Sequence, residues 1–175
     1  MRLLLFTLLL SLGLATSAWA RLGETPEQMQ ARLGPPAPYP RPDGVLANGK
    51  VYPLGQIFKY SKEGWSVECV MINGTCAKIT YVKTTPRATL TDDDINTILS
   101  NEAQGSKWAQ TVDSSAVVQN LLFPSFKVRQ WKRGDGATAQ TSITTFTLIS
   151  PEYQKAVDAA NALAKADSEK KIPDL

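Results

Sequence analysis

The dipeptide Asn73-Gly74 lies between two runs, Trp65–Ile72 and Thr75–Lys83, that are rich in β-branched and aromatic residues. Asn-Gly accepts the left-handed backbone of a two-residue turn, so the runs are expected to form an antiparallel hairpin. Counting outward from the turn sets Met71 against Cys76 and Cys69 against Lys78. Strict alternation then puts Trp65, Val67, Cys69, Met71, Cys76 and Val82 on one face. Val70, Ile72, Ala77, Ile79 and Tyr81 fall on the other. Neither face is purely polar, so both need partial cover from other elements.

The cover comes from segments with helical punctuation. Thr25-Pro26-Glu27-Gln28 is a Thr-x-x-Gln capping box with proline at the first helical position, and Gly34 with Pro35-Pro36 stops the helix after Leu33. Met29 and Leu33 share its apolar face. Residues 35–50 hold five prolines together with Gly44, Asn48 and Gly49, and read as a loop. A strand over 56–61 leads into the hairpin through a turn at Lys62-Glu63-Gly64. Thr91 caps a second helix whose first turn carries Asp92-Asp93-Asp94 and whose stripe is Ile95, Ile98 and Leu99. Residues 107–125 are ambiguous, with 115–122 readable as a helix. Phe126–Lys132 reads as a strand, 133–136 as a turn, and 137–149 as one bent strand or two. A closing helix runs from Pro151 to about 171, with Tyr153, Val157, Ala160 and Ala164 on one side. The fold class is therefore α+β: short helices on small antiparallel sheet, in two helix-then-strands units near 24–83 and 90–149, closed by a C-terminal helix.

Residues 1–20, MRLLLFTLLLSLGLATSAWA, read as an export signal. Arg2 is the positive end, Leu3–Leu14 the apolar core, and Ala18-Trp19-Ala20 a small-x-small cleavage site. Cleavage there leaves a single domain, 21–175, that folds in the periplasm or is secreted. No cysteine follows the site, so a lipid anchor is not expected, nor is any membrane span after cleavage. In an oxidising compartment Cys69 and Cys76 default to a disulfide. The register places them on one face but diagonally, about 7–8 Å apart. Bonded cysteines usually have Cα atoms within about 6.8 Å. Either the turn is wider or more twisted than Asn-Gly implies, or the thiols stay apart. A bond is the preferred reading, because two free thiols outside the cytoplasm are uncommon.

The pattern Gly23-x-Thr25-x-x-Gln28, then Leu33-Gly34-x-Pro36, then strands ending in Asn73-Gly74, resembles the SmpA/OmlA small outer-membrane lipoproteins and the related β-lactamase-inhibitor-like fold. It is also similar to exported bacterial proteins with the same helix-then-hairpin opening. The resemblance covers residues 23–83. It implies short helices on an antiparallel sheet, and an adaptor or inhibitor acting by protein–protein contact. The chain departs from the lipoproteins in lacking a cysteine after Ala20.

Composition narrows the chemistry. The chain contains no histidine, which excludes histidine triads, general bases and metal ligands. Two cysteines are too few for a cysteine-rich zinc site. The net charge is +3, and residues 1–20 carry one basic residue, Arg2, so the remainder stands at +2. That balance gives no footprint for nucleic acid. The three aspartates are explained by the helix dipole, without a cation. Glu63, Glu68, Asp113 and Asp135 show no spacing that singles out a catalytic pair, and Ser114 and Ser115 lack a nucleophile-elbow setting. Arg129, Lys132 and Arg133 around Trp131 read as a strand end and turn. Asn73-Gly74-Thr75 matches a glycosylation sequon, but the turn itself requires those residues.

The expectation is a non-enzymatic envelope protein with no cofactor or metal, binding another envelope or secreted protein. Its candidate surface is Tyr39, Arg41, Tyr52 and Trp65. The alternative is an extracytoplasmic ligand or polysaccharide binder that uses its exposed tryptophans and tyrosines as a stacking platform.

Overall fold

The computed structural model describes residues 19–39, 41–86, 88–116, 126–142 and 144–169. They form three helices, α1 (Pro26–Leu33), α2 (Asp92–Asn101) and α3 (Pro151–Glu169). Eight strands accompany them: β1 (Pro42–Ala47), β2 (Lys50–Lys62), β3 (Trp65–Ile72), β4 (Thr75–Lys83), β5 (Trp108–Ala116), β6 (Phe126–Arg133), β7 (Thr138–Thr141) and β8 (Thr145–Ile149). The fold is α+β. Residues 1–18 of the expected 1–20 export signal, residues 117–122 of the stretch readable as a helix and the last residues of the expected closing helix lie outside the described residues.

The strands make one antiparallel sheet in the order β1-β2-β3-β4-β8-β7-β6-β5. Each half is a helix followed by a four-strand meander, and the halves join where β4 pairs with β8 about Thr80 and Thr147. Opposite one another across that seam stand Ile79 with Leu148 and Tyr81 with Phe146, all fully buried. A large apolar side chain taken from water contributes about 1.5–3 kcal/mol, so this seam is a main source of cohesion between the halves.

The local signals explain the elements. Thr25 accepts from the Gln28 N–H while the Gln28 side chain accepts from the Thr25 N–H, and the helix ends at Gly34 with φ 87°. Thr91 and Asp94 cap α2 in the same reciprocal way. Asp94 also pairs with Lys83 at 2.6 Å and Asp92 with Arg129 at 2.7 Å, which accounts for two of the three aspartates. Helices α1 and α2 bury Met29, Leu33, Ile95, Ile98 and Leu99 on one face of the sheet. Helix α3 covers the other face of the first half with Tyr153, Val157, Ala160 and Ala164. Both faces of the first hairpin are thus covered, as its mixed patterning requires. No helix among the described residues is long and apolar enough to cross a membrane.

Three expectations change, over residues 35–50, the β3–β4 register and the Cys69–Cys76 bond, and two open readings are resolved. Residues 35–50 are not a loop throughout: Pro42–Ala47 pairs with Lys50–Gln56, and Asn48-Gly49 turns the hairpin with φ 53° and 72°. Residues 108–116 are a strand, and 137–149 is two strands. The register of β3 with β4 also slips. Met71 faces Cys76, but a bulge sets both Ala77 and Lys78 against Val70, so Cys69 faces Ile79 rather than Lys78. One extra residue reverses the alternation beyond it. Ile79 and Tyr81 therefore join Val67 and Cys69 in the core. Cys69 and Cys76 are buried there as neighbouring free thiols, and not as the preferred disulfide. Burial, and then its hydrogen bond with Cys76, push the Cys69 thiol well above its ordinary range.

Candidate functional site

The β1–β2 hairpin projects at one end of the sheet. Its strands alternate: Asp43, Val45 and Ala47 face α3, while Pro42, Gly44 and Leu46 point to the opposite side. Register sets Leu46 beside Val51 and Gly44 beside Pro53. Leu46 is 72% and Val51 53% exposed, so a pair of apolar side chains stands in water at the tip. Gly44 leaves room for Val51, since a β-carbon there would come within 2.7 Å of a Val51 methyl. At the base of the hairpin, Leu54 is an extra residue opposite the Asp43–Gly44 step. There Tyr39, Arg41, Pro42, Pro53, Leu54 and Gln56 line an open groove of about 560 Å³. Pro42 and Pro53 connect the groove to the Leu46–Val51 pair. The Lys59 ammonium sits 4.1 Å from the centre of the Tyr39 ring and 2.9 Å from Glu68, whose hydrogen bond raises the Lys59 pKa.

The four sequence candidates divide. Tyr39 and Arg41 meet in the groove. Tyr52 is on the opposite face of the hairpin, buried under α3, with its hydroxyl donating to Asp167 at 2.8 Å. Trp65 packs edge-on against Trp19 and Tyr81, with ring centres 5.4 and 6.3 Å away. It lines a separate hollow of about 50 Å³. Trp131 is buried against Phe146, and Trp108 lies under the Arg133 guanidinium. The aromatic side chains are thus mostly internal, as large side chains in a small domain tend to be. Leu46, Val51 and Pro53 were missed as surface residues. The signal that finds them is Asn48-Gly49, flanked by apolar runs just as Asn73-Gly74 is.

Two of the four acids that the sequence offers are held in ion pairs. Glu68 pairs with Lys59, and Asp135 with Arg133 at 2.8 Å. No group of three or more potential metal-ligating side chains is found among the described residues. A different acid is the most perturbed: Glu102, just past α2, is fully buried. One of its carboxylate oxygens accepts from the Leu22 N–H at 3.2 Å, and the other has no partner among the described residues. Arg133, itself buried, donates to the Glu102 backbone carbonyl. Burial pushes the Glu102 carboxyl up to about 8, against the lowering pull of the Leu22 N–H and of Arg133. Glu102 joins the chain near Leu22 to the α2–β5 connection. No family model matches this chain, and no curated protein or solved structure does either.

Proposed function

We propose that this chain is an exported, non-enzymatic binding protein that acts by protein–protein contact in the cell envelope. The observation that carries the reading is the exposed Leu46–Val51 pair running through Pro42 and Pro53 into the Tyr39–Arg41 groove. Exposed aliphatics bordered by Tyr, Arg and Pro are the make-up of a contact surface, with an apolar centre and a cationic rim. The occupant that fits is an extended polypeptide segment with an apolar residue for the Leu46–Val51 pair and a carboxylate for Arg41. Among the described residues β1 is an outer strand, so its far backbone edge offers itself for strand addition, and Pro42 restricts this to the residues after it.

The test is crosslinking of the processed chain to proteins of its own envelope fraction, in parallel with a Leu46→Glu, Arg41→Glu variant. One stoichiometric protein partner, lost in the variant, is expected. Retention of the partner by the variant refutes this surface. Binding of isolated sugars with a shift of tryptophan emission, and no protein partner, refutes the reading in favour of a saccharide binder.

A further inference from the structure

The sequence offers two places for the export signal to be cut. Ala18-Trp19-Ala20 places small residues one and three positions before Arg21. Thr16-Ser17-Ala18 places small residues in the same way before Trp19. The fold distinguishes them, because residues 19–24 are a strap built into the core rather than a free end.

Trp19 stands edge-on to both Trp65 and Tyr81, with ring centres 5.4 and 5.5 Å away. Ala20 is fully buried, and its carbonyl accepts a hydrogen bond from the Tyr81 hydroxyl at 2.9 Å. Tyr81 is itself fully buried at the seam of the sheet. Further along, Leu22 is held by Glu102 and by the Gln104 amide, which donates to its carbonyl at 2.8 Å. Gly23 and Glu24 then exchange backbone hydrogen bonds with Cys76, both 2.8 Å. A chain beginning at Arg21 keeps these last contacts. It loses the Trp19 ring, empties the site of Ala20 and takes from the Tyr81 hydroxyl the carbonyl to which it donates.

We propose that the processing site is the Ala18–Trp19 bond, and that Trp19 is the first residue of the mature protein. This rests on the export reading. Water adds across that peptide bond in the hands of the export pathway's endopeptidase. The new carboxylate leaves on the leader, and the protonated α-amino group stays on Trp19. Cutting takes place on the unfolded chain, so burial of the neighbouring Ala20–Arg21 bond is not what protects it. The strap is what the shorter product would lack.

The test is expression of the full chain in an export-competent bacterium, followed by N-terminal sequencing of the product. A mature start of Trp-Ala-Arg-Leu is expected. A start of Arg-Leu-Gly-Glu overturns the proposal and leaves export standing, whereas an uncut chain confined to the cytoplasm overturns both. Tyr81→Phe, expressed the same way, gives a second readout by thermal melting of the processed protein. It is expected to melt several degrees lower, because it loses the bond to Ala20. Unchanged melting overturns the proposal, since the hydroxyl then has no Ala20 to serve.

Discussion

Glu102→Gln replaces the buried carboxyl with a neutral group of nearly the same shape that still accepts from the Leu22 N–H. In the folded protein Glu102 titrates near 8, and in the unfolded chain at its ordinary 4.5. Between those values the folded state holds a proton that the unfolded state has released. Stability from this group is therefore fully present below pH 4.5, and is lost as the pH rises through about 8. At about 1.4 kcal/mol for each pH unit, the loss reaches ~5 kcal/mol once both states are ionised. That is a large part of the 5–15 kcal/mol that holds a typical domain together, so the wild type becomes marginal in mild alkali. The assay is urea unfolding at a series of pH values, followed by the fluorescence of the core tryptophans, for both proteins. Groups that titrate alike in the two cancel in the difference. The expected result is a gap in unfolding free energy that moves by several kcal/mol in favour of the variant between about pH 5 and pH 9. Parallel curves refute the assignment of a protonated, desolvated carboxyl to this site.

Other perturbations test separate parts of the structure. Gly55→Ala places a β-carbon 2.3 Å from the Met71 carbonyl oxygen, a backbone atom that cannot turn aside, so a loss of about 2–4 kcal/mol in urea unfolding is expected. Tyr153→Phe removes a hydroxyl that donates to Asp43 at 2.7 Å and accepts from Lys78 at 3.1 Å; about 1–2 kcal/mol should be lost, with α3 gaining amide exchange before the sheet does. Cys69 and Cys76 are buried, and the Cys69 thiol is pushed up by that burial, so in reduced folded protein both should resist alkylation near neutral pH and react only on unfolding. Fast modification of the folded chain by a thiol reagent refutes that placement.

Where one local rule decides an element, the sequence is readable. Thr25 with Gln28 and Thr91 with Asp94 close capping boxes that fix where α1 and α2 begin. Asn73-Gly74 fixes β3 and β4 to the residue. Composition alone misleads over 35–50: proline and glycine density suggests a loop, yet an outer strand tolerates Pro42 at its start and Gly44 in its middle. The Asn48-Gly49 turn then acts as Asn73-Gly74 does. The bulge at Ala77 is invisible for a different reason. No residue type there demands it, and what it delivers is tertiary: Ile79 and Tyr81 turned onto Leu148 and Phe146 of the other half.

The candidate surface divides along the same line. Arg41 is legible as an exposed and Tyr39 as a half-exposed residue of a proline-rich segment. Tyr52 sits in the same hairpin, but which face it takes depends on pairing with a strand that the loop reading omits, and α3 then covers it. Trp65 is half-buried against Trp19, a residue assigned from sequence to the leader. The small-x-small rule describes what the unfolded chain presents to an endopeptidase and carries no information about what the folded chain needs. Trp19 and Ala20 are subject to both demands. Only the packing of Trp19 against Tyr81, and the Tyr81 hydroxyl on the Ala20 carbonyl, show that the second demand reaches two residues further towards the start of the chain than the first.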